Sequence, residues 1–320
     1  MMARLRALGA EGKRRIVQVL AAVLYNANVG GFFKGEIYRG NSKKFCVPGL
    51  NCYSCPGAIA SCPLGALQAS LNSFPSAVPL YMLGILLVFG ALLGRAICAF
   101  LCPFGLIQEL LHKIPSRKLK KNAWTRRLTV IKYVVLVVMV IALPLYFLIV
   151  NGVVTPAFCK WLCPAGTLEG GVPLMITYES LRSQIGWLFS WKALVTVAVV
   201  VASVFIFRPF CRFICPLGAI YSLFNRVALF GVRVDKKKCT HCGACARACK
   251  MDVRIVNDRE CLRCGECVSR CPTGAISCKF MQKGGTNHEK TARTHAGAGA
   301  SVLHGAGDGT QPGGGGGGSL

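Results

Sequence analysis

The stretch GRAICAFLCPFGLIQEL (94–110) returns in altered form as FRPFCRFICPLGAIYSL (207–223). When the two stretches are aligned, Arg95 matches Arg208, Cys98 matches Cys211 and Cys102 matches Cys215. In each stretch a Pro and a Gly follow the second cysteine. Self-similarity of this kind indicates an internal structural repeat. We therefore predict two related halves, each carrying one C-x3-C-P motif.

The phrase Cys-Pro-x-Gly-x-Leu/Ile occurs five times in the chain, at 62–67, 102–107, 163–168, 215–220 and 271–276. Residues four apart share one face of a helix, so the two cysteines of a C-x3-C-P motif point the same way. Pro and Gly then break that helix, and the free N–H groups of the next helix could bond cluster sulfurs. Each copy is thus predicted to be a corner between two segments, with a thiolate ligand at the turn.

The composition favours a membrane protein. Of 320 residues, 53% are hydrophobic and only 16% are charged, whereas a soluble domain has about a quarter charged residues. The formal net charge is +26, but Lys and Arg lie between the apolar runs, as membrane topology requires. Nucleic-acid binding is therefore disfavoured.

Four segments are apolar enough to cross a bilayer, which needs roughly 20 residues: 16–33, 78–99, 128–150 and 187–207. Asn26 and Asn28 interrupt the first, for which a cleaved signal peptide is the alternative. Loop 112–127 carries seven Lys/Arg and no acidic residue, which predicts that it faces the cytoplasm. Both termini then face inward, while loops 34–77 and 151–186 face outward.

Three regions follow along the chain. We predict an all-α membrane domain over 1–231, with four transmembrane helices in two pseudo-symmetric halves. Residues 232–282 are expected to form a small cytoplasmic α+β domain of the bacterial ferredoxin type that holds two 4Fe–4S clusters. From 283 to 320 the chain is Gly-rich and is predicted to be disordered.

The cysteine spacing of the soluble region is that of a doubled bacterial ferredoxin, in which the fourth cysteine of each run ligates the other cluster. One predicted 4Fe–4S cluster takes Cys239, Cys242, Cys245 and Cys271, and the other takes Cys261, Cys264, Cys267 and Cys249. A zinc ribbon needs only pairs of C-x2-C, so it leaves the third and fourth cysteines of each run unexplained.

The two inner motifs supply four more thiols, Cys98, Cys102, Cys211 and Cys215. Four thiolates from two halves suffice for a further 4Fe–4S cluster. Arg95 and Arg208 precede these motifs and are predicted to bind near the cofactor and offset its negative charge. Interfacial arginines that snorkel to water are the alternative for these two residues, and zinc or plain core thiols are the alternative for the cysteines.

Six cysteines lie in the predicted outer loops: Cys46, Cys52, Cys55, Cys62, Cys159 and Cys163. A cluster spanning the halves would take Cys159 and Cys163 with two of the first four. A local cluster would instead take all four of the first group and leave Cys159 and Cys163 as a redox-active dithiol. Outer disulfides are a further alternative. Cys278 has no partner in either scheme and is predicted to be a buried thiol.

The inner motifs, the four spans and the double-cluster module together resemble NapH-type membrane ferredoxins, a group that includes NosR-like and CcoG-like polyferredoxins. The resemblance covers about residues 10–280. It implies membrane-embedded electron transfer, in the NapH case from quinol to an iron–sulfur partner. The cysteine-rich loop 46–62 is an addition to that pattern. The chain has no C-x2-C-H for covalent haem, and outside its six consecutive glycines (313–318) it has no G-x-G-x2-G for a dinucleotide.

The sequence therefore predicts an electron-transfer component of an oxidoreductase system in the cytoplasmic membrane, with no assignable catalytic residue. It would link a quinol pool or an outer donor or acceptor to a cytoplasmic redox protein. Residues 230–283 carry 12 Lys/Arg against five Asp/Glu, which suits an acidic ferredoxin, a flavodoxin or anionic lipid. The alternatives are a reductase of a metal ion or disulfide at the outer cysteines, and a redox sensor or assembly factor.

Overall fold

The first half of the chain is a series of helices joined by a long cysteine-rich loop. The computed structural model describes residues 2–71, 80–119, 122–182, 185–251 and 253–280. In the first half the elements are α1 (Met2–Tyr25), α2 (Val29–Lys34), a 3-10 turn (Asn41–Lys44), α3 (Pro63–Ser70), α4 (Leu80–Leu93), α5 (Ala96–Phe100) and α6 (Pro103–Leu111).

The second half contains the longest helix, Trp124–Asn151. Its parts are α7 (Ala123–Arg127), a 3-10 turn (Leu128–Val130), α8 (Ile131–Val135), a π-helical stretch (Leu136–Ala142) and α9 (Leu143–Asn151). There follow α10 (Ala157–Trp161), a second π-helical stretch (Gly166–Gly171), α11 (Val172–Thr177), α12 (Glu179–Arg182), α13 (Trp187–Phe205), α14 (Pro209–Phe213) and α15 (Pro216–Phe224). A proline, Pro144 or Pro173, follows each π-helical stretch. Since proline has no N–H to donate back along the helix, it accounts for the local widening.

A two-stranded antiparallel sheet closes the ferredoxin-like region. Strand β1 (Phe230–Val234) pairs with β2 (Ile276–Phe280) in a register that sets Phe230 opposite Phe280. Between the strands lie α16 (Ala244–Ala248) and α17 (Glu266–Arg270). Each of these helices follows a glycine with positive φ, 68° at Gly243 and 79° at Gly265, a conformation that other residues adopt only with strain.

Four of the five Cys-Pro copies begin a helix, as predicted. Cys62, Cys102 and Cys215 are the N-cap residues of α3, α6 and α15, each with Pro as the first helical residue, and a helix also begins after Cys163. Proline suits this place because its fixed φ is helical and the first N–H has no partner anyway. The fifth copy instead closes the ferredoxin-like region. Cys271 leads through a turn into strand β2.

Among the residues that the structure describes, two helices are long and apolar enough to cross a bilayer, Trp124–Asn151 with mean hydropathy 2.9 and Trp187–Phe205 with mean hydropathy 2.0. They match the predicted third and fourth spans. Helix α4 is a shorter apolar helix within the predicted span 78–99, whose residues 78 and 79 lie outside the described part of the chain. The predicted first span, 16–33, was wrong as one helix, because α1 ends at Tyr25 and α2 begins at Val29. The four-span topology and the symmetry of its halves stay predictions.

The described residues, 2–280 with the gaps given above, form one compact unit. Helix α1 packs on α17 and on α5 and α6, so the ferredoxin-like region lies directly against the inner cysteine motifs. The predicted domain boundary at 231 and 232 falls inside this unit and stays a prediction. The predicted disordered tail, 283–320, lies outside the described residues.

Candidate iron–sulfur centres

The four inner cysteines line one cavity. Cys98 and Cys102 come from α5 and its C-terminal turn, and Cys211 and Cys215 come from the equivalent places in α14. Between 3% and 6% of each of these residues is exposed. The loop Pro48–Leu50 completes the wall, so the cysteine-rich loop packs on the inner motifs. A thiol-only donor set in a dry cavity is the type that binds iron–sulfur clusters.

Helix N-termini point N–H groups at these thiols. The Gly218 N–H donates to Cys215 Sγ at 3.4 Å, and the Gly105 N–H stands in the same relation to Cys102. The Gln108 side chain adds a bond from Nε2 to Cys211 Sγ at 3.1 Å. Hydrogen bonds of this kind favour the thiolate form. The predicted role of the Cys-Pro-x-Gly turn is thus present in the local geometry.

Arg95 and Arg208 cross between the two halves. Arg95 Nη2 donates to the carbonyl oxygen of Cys211 at 3.3 Å, and Arg208 Nη1 donates to the carbonyl oxygen of Cys98. Neither arginine has any exposed surface. The snorkelling interpretation is therefore wrong, and both guanidinium groups are fixed behind the cysteine motifs.

Each arginine meets a buried carboxylate that the sequence analysis missed. Arg95 pairs with Glu260 at 2.5 Å, and Arg208 pairs with Glu109 at 2.8 Å. A second cation joins each pair, Lys132 at Glu260 and Arg14 at Glu109. Two cations therefore share one carboxylate on each side, which leaves an excess of positive charge beside the inner thiols. The sequence does show that each glutamate lies close to a cysteine motif. It does not reveal the cations that pair with it, because they are distant in sequence.

The electrostatics of these carboxylates follow from their partners. Burial alone would raise the pKa of Glu109, but Arg208 and Arg14 hold it below its usual value. Arg95 and Lys132 do the same for the pKa of Glu260 against the effect of burial. Three of the inner thiols, those of Cys102, Cys211 and Cys215, behave in the opposite way. Burial raises the pKa of Cys215 well above the usual value, so binding of iron there must displace a proton.

The second predicted cysteine set of the ferredoxin-like region comes together. Burial raises the pKa of Cys267, and the neighbouring thiols of Cys261, Cys264 and Cys249 raise it further. Cys261 is 9% exposed and belongs to the same hydrophobic core as the inner cysteines. We name Cys249, Cys261, Cys264 and Cys267 the near group.

The first predicted set lies closer to solvent. Cys242 is exposed, and Cys239, Cys245 and Cys271 are half-buried. Burial raises the pKa of Cys245, and the neighbouring thiols of Cys239 and Cys242 add to the effect. We name these four cysteines the distal group. Cys278 lies exposed on β2, so the prediction of a buried thiol was wrong.

The six outer cysteines separate into two sets. Burial raises the pKa of Cys163 well above the usual value, and Cys159, Cys52 and Cys62 raise it further. Cys46 and Cys55 instead contact Met82 and Asn26. No pair of these six is joined in a disulfide. Among the described residues, no three His, Cys, Asp or Glu side chains converge on a single metal ion.

Two families described as 4Fe–4S binding domains match the chain. One matches residues 77–122, 133–172 and 187–237, and the other matches 232–255 and 254–277. Together these ranges contain the C-x3-C-P motifs that end at Cys102, Cys163 and Cys215, and both ferredoxin runs. No solved structure matches the chain.

Curated relatives extend the similarity. The protein MJ0750 of Methanocaldococcus jannaschii is 30% identical over 209 residues, which are 62% of this chain and 78% of the relative. This chain belongs to its family. MJ0749 of the same organism is 29% identical over 62% of this chain and 70% of its own length. The methylamine utilization ferredoxin-type protein MauN of Methylorubrum extorquens is 25% identical over 74% of this chain and 73% of its own length.

These matches confirm the resemblance to ferredoxin-type 4Fe–4S membrane electron-transfer proteins at the level of the family. The 4Fe–4S cofactor type is confirmed with it, and so is the iron–sulfur, electron-transport and membrane character of the protein. The number of clusters, the ligand of each one and the orientation in the membrane stay predictions.

Proposed function

We propose that the protein is a membrane electron conduit. It passes electrons between a quinol pool or an outer donor or acceptor and a cytoplasmic redox protein. 4Fe–4S clusters supply one-electron transfer when bound. The chain's own residues hold them in order along one path, from the outer cysteines through the inner cavity to the near and distal groups.

The observation that carries the proposal is the continuity of the hydrophobic core. One cluster of buried residues contains outer, inner and near-group cysteines together, with others packed against it: Cys62, Cys163, Cys98, Cys102, Cys211, Cys215, Cys261, Cys159, Cys249 and Cys264. The stations are thus linked by packed protein and not separated by water. A bilayer core is about 30 Å thick, so a series of sites through this core would divide the crossing into shorter steps.

The charge arrangement supports a cofactor with negative charge in the inner cavity. A cluster with four thiolate ligands is an anion, and its potential depends on net charge and burial. Arg14, Arg95, Lys132 and Arg208 provide more positive charge than Glu109 and Glu260 neutralise. We expect this excess to favour the reduced cluster, and hence to raise its potential.

Basic residues at the distal group support a cytoplasmic, acidic redox partner. Lys236, Lys237 and Lys238 are exposed and lead directly to Cys239. Positive charge of this kind accelerates association with acidic proteins. The basic loop 112–127 supports the same assignment of the cytoplasmic side.

Proteoliposomes test the conduit. Reduced methyl viologen is supplied on the side of the ferredoxin-like region, and an impermeant acceptor such as ferricyanide is supplied on the opposite side. We expect acceptor reduction that is lost in Cys211→Ala/Cys215→Ala and kept in Cys278→Ser, because Cys278 is not among the predicted cluster ligands. The conduit fails if viologen reduces the clusters and no electron reaches the acceptor.

A further inference from the structure

Four outer cysteines, two from each half, lie close together around the glycines of the two outer Cys-Pro-x-Gly motifs. Gly65 follows Cys62 in the first half, and a Cβ atom built on it would lie 3.6 Å from Cys159 Sγ of the second half. Gly166 follows Cys163, and its Cβ would lie 3.8 Å from Cys52 Sγ and 3.9 Å from Cys163 Sγ. The glycine of each motif, which has no side chain, therefore leaves room for a cysteine sulfur of the other half.

The contact between the halves is fixed by backbone as well. The Cys52 N–H donates to Glu169 Oε2 at 2.8 Å. A Cβ built on Gly170 would lie 3.3 Å from the Ser54 backbone, so the first-half loop rests closely on the second-half helix. This packing holds Cys52 against the Cys163 turn.

The other two outer cysteines have side-chain contacts within the first half, where the Cys46 thiol neighbours Cys62 and the Cys55 thiol neighbours Cys52. Cys46 Sγ lies 3.1 Å from Met82 Sδ and 3.6 Å from Ser61 Oγ. Cys55 Sγ lies 3.7 Å from Asn26 Oδ1. Neither contact involves the second half, which supplies Cys159 and Cys163.

We propose that Cys52, Cys62, Cys159 and Cys163 ligate a further 4Fe–4S cluster that joins the two halves at the predicted outer face. The site repeats the construction of the inner cavity, because both C-P-x-G turns direct a glycine N–H at the preceding cysteine, Gly65 at Cys62 and Gly166 at Cys163. The thiol-only donor set and its burial suit this cofactor and no hard cation.

Positive charge is placed here as in the inner cavity. The Lys192 ammonium would lie 3.9 Å from the Cβ of Gly166, beside the Cys52 and Cys163 sulfurs. Lys43 is 6% exposed, and its Nζ makes no hydrogen bond to any residue that the structure describes. Lys43 packs on the Tyr53 ring, and it interacts electrostatically with the thiols of Cys55 and Cys52. Since a buried ammonium without an anion is costly, a cluster with thiolate ligands would supply the missing charge.

The outer site is also a neighbour of the inner one. Tyr221 is fully buried, and its hydroxyl donates to the Pro48 carbonyl oxygen at 2.9 Å. Burial raises the pKa of Tyr221 well above its usual value, and thiols of both sites, Cys98 and Cys62 first, raise it further. Tyr221 therefore lies close to cysteines of both sets. The inference deepens the proposed function by giving the conduit an outer station, but its test needs no electron transfer.

Iron and acid-labile sulfide per chain test the assignment, with each outer cysteine changed to Ala in turn. We expect Cys52→Ala, Cys62→Ala, Cys159→Ala and Cys163→Ala each to lose about four irons. The matched controls Cys46→Ala and Cys55→Ala should keep the iron content of the unsubstituted protein. The EPR signals of the two ferredoxin clusters, whose ligands lie elsewhere, report whether each variant is folded.

Three results would overturn the assignment. Iron loss in Cys46→Ala and Cys55→Ala, with full iron in Cys159→Ala and Cys163→Ala, would indicate a local cluster in the first-half loop. Full iron in all six variants would leave no cluster at the outer face.

Native mass spectrometry of the unsubstituted protein provides a test that does not depend on whether the variants fold. A mass fully explained by the ferredoxin pair and the inner cluster overturns the proposal, and one further cluster supports it. A protein that carries this cluster but passes no electrons contradicts the conduit and leaves the ligand assignment intact.

Discussion

The inner cavity and the distal group each contain four cysteine thiols, but their surroundings are opposite. The inner cysteines are almost completely buried, and their charge balance comes from cations and carboxylates fixed inside the protein. The distal group lies near solvent beside three exposed lysines. Internal charges are screened little by salt, whereas surface charges are screened within about 10 Å at ordinary ionic strength. The electrostatics of the inner site are therefore protected from changes in ionic strength, and the distal group is suited to exchange electrons with a partner.

Removing ligands from each site should give the largest effect and shows whether the two sites are independent. We expect Cys211→Ala/Cys215→Ala to lose about four irons while the ferredoxin signals persist. Cys239→Ala/Cys242→Ala should lose about four others and keep the inner cluster. Iron analysis and EPR of the reduced proteins measure both. Loss of all clusters in either variant, with the helix content unchanged, would show that the sites are not independent.

Breaking an internal ion pair should destabilise the inner side strongly. Glu109→Gln leaves Arg14 and Arg208 buried without a full counter-charge, and we expect a loss of about 3–5 kcal/mol in the free energy of unfolding. Chemical denaturation in detergent measures this loss.

The matched control for Glu109→Gln is Asp258→Asn, which breaks the more exposed pair with Arg126, where 36% of the arginine side chain is accessible. We expect it to cost about 0–1 kcal/mol. Equal losses in the two variants would mean that burial does not set the strength of these pairs.

Glycine substitutions separate the two kinds of Cys-Pro copy. A Cβ on Gly218 would lie 3.1 Å from the Cys211 carbonyl oxygen, so Gly218→Ala should cost about 1–3 kcal/mol through crowding. Gly274 has φ +63° and open space around its Cβ position. There Gly274→Ala should cost about 1–2 kcal/mol through backbone strain alone.

Asparagine distinguishes the two causes, because it tolerates positive φ but needs more room than Ala. Thermal unfolding should show partial recovery in Gly274→Asn relative to Gly274→Ala. In Gly218→Asn it should show a larger loss than in Gly218→Ala. The same order at both positions would contradict the distinction.

Ionic strength should give the smallest effect, confined to the distal group. Reversing the three lysines in Lys236→Glu/Lys237→Glu/Lys238→Glu should slow electron exchange with an acidic bacterial ferredoxin by about 10-fold at low salt. Stopped-flow rates at rising salt should converge for the two proteins. The inner cluster's potential should stay unchanged in this variant, and a shift would show that surface charge reaches the inner cavity.

Local features were predictable from the sequence, and long-range partners were not. The Pro after Cys62, Cys102, Cys163 and Cys215 begins a helix because proline fixes φ wherever it stands. The doubled ferredoxin spacing also predicted the near group, because the fourth cysteine of the first run, Cys249, is expected to join the second run. Glu109 and Glu260 were missed, since the pairs Arg208–Glu109 and Arg95–Glu260 depend on how distant helices pack. The first span failed because its interruption at Asn26 and Asn28 ended the helix.

The ion pair between Arg95 and Glu260 sets an order for biogenesis. The two residues are 165 positions apart, so the arginine leaves the ribosome long before the carboxylate that neutralises it has been translated. A fully buried guanidinium without its counter-charge is unfavourable. The inner cavity should therefore stay open during insertion and close only after the ferredoxin segment has docked. We therefore expect iron and sulfide to be delivered to the inner cysteines during this interval. Docking of the ferredoxin-like region would then close the cavity.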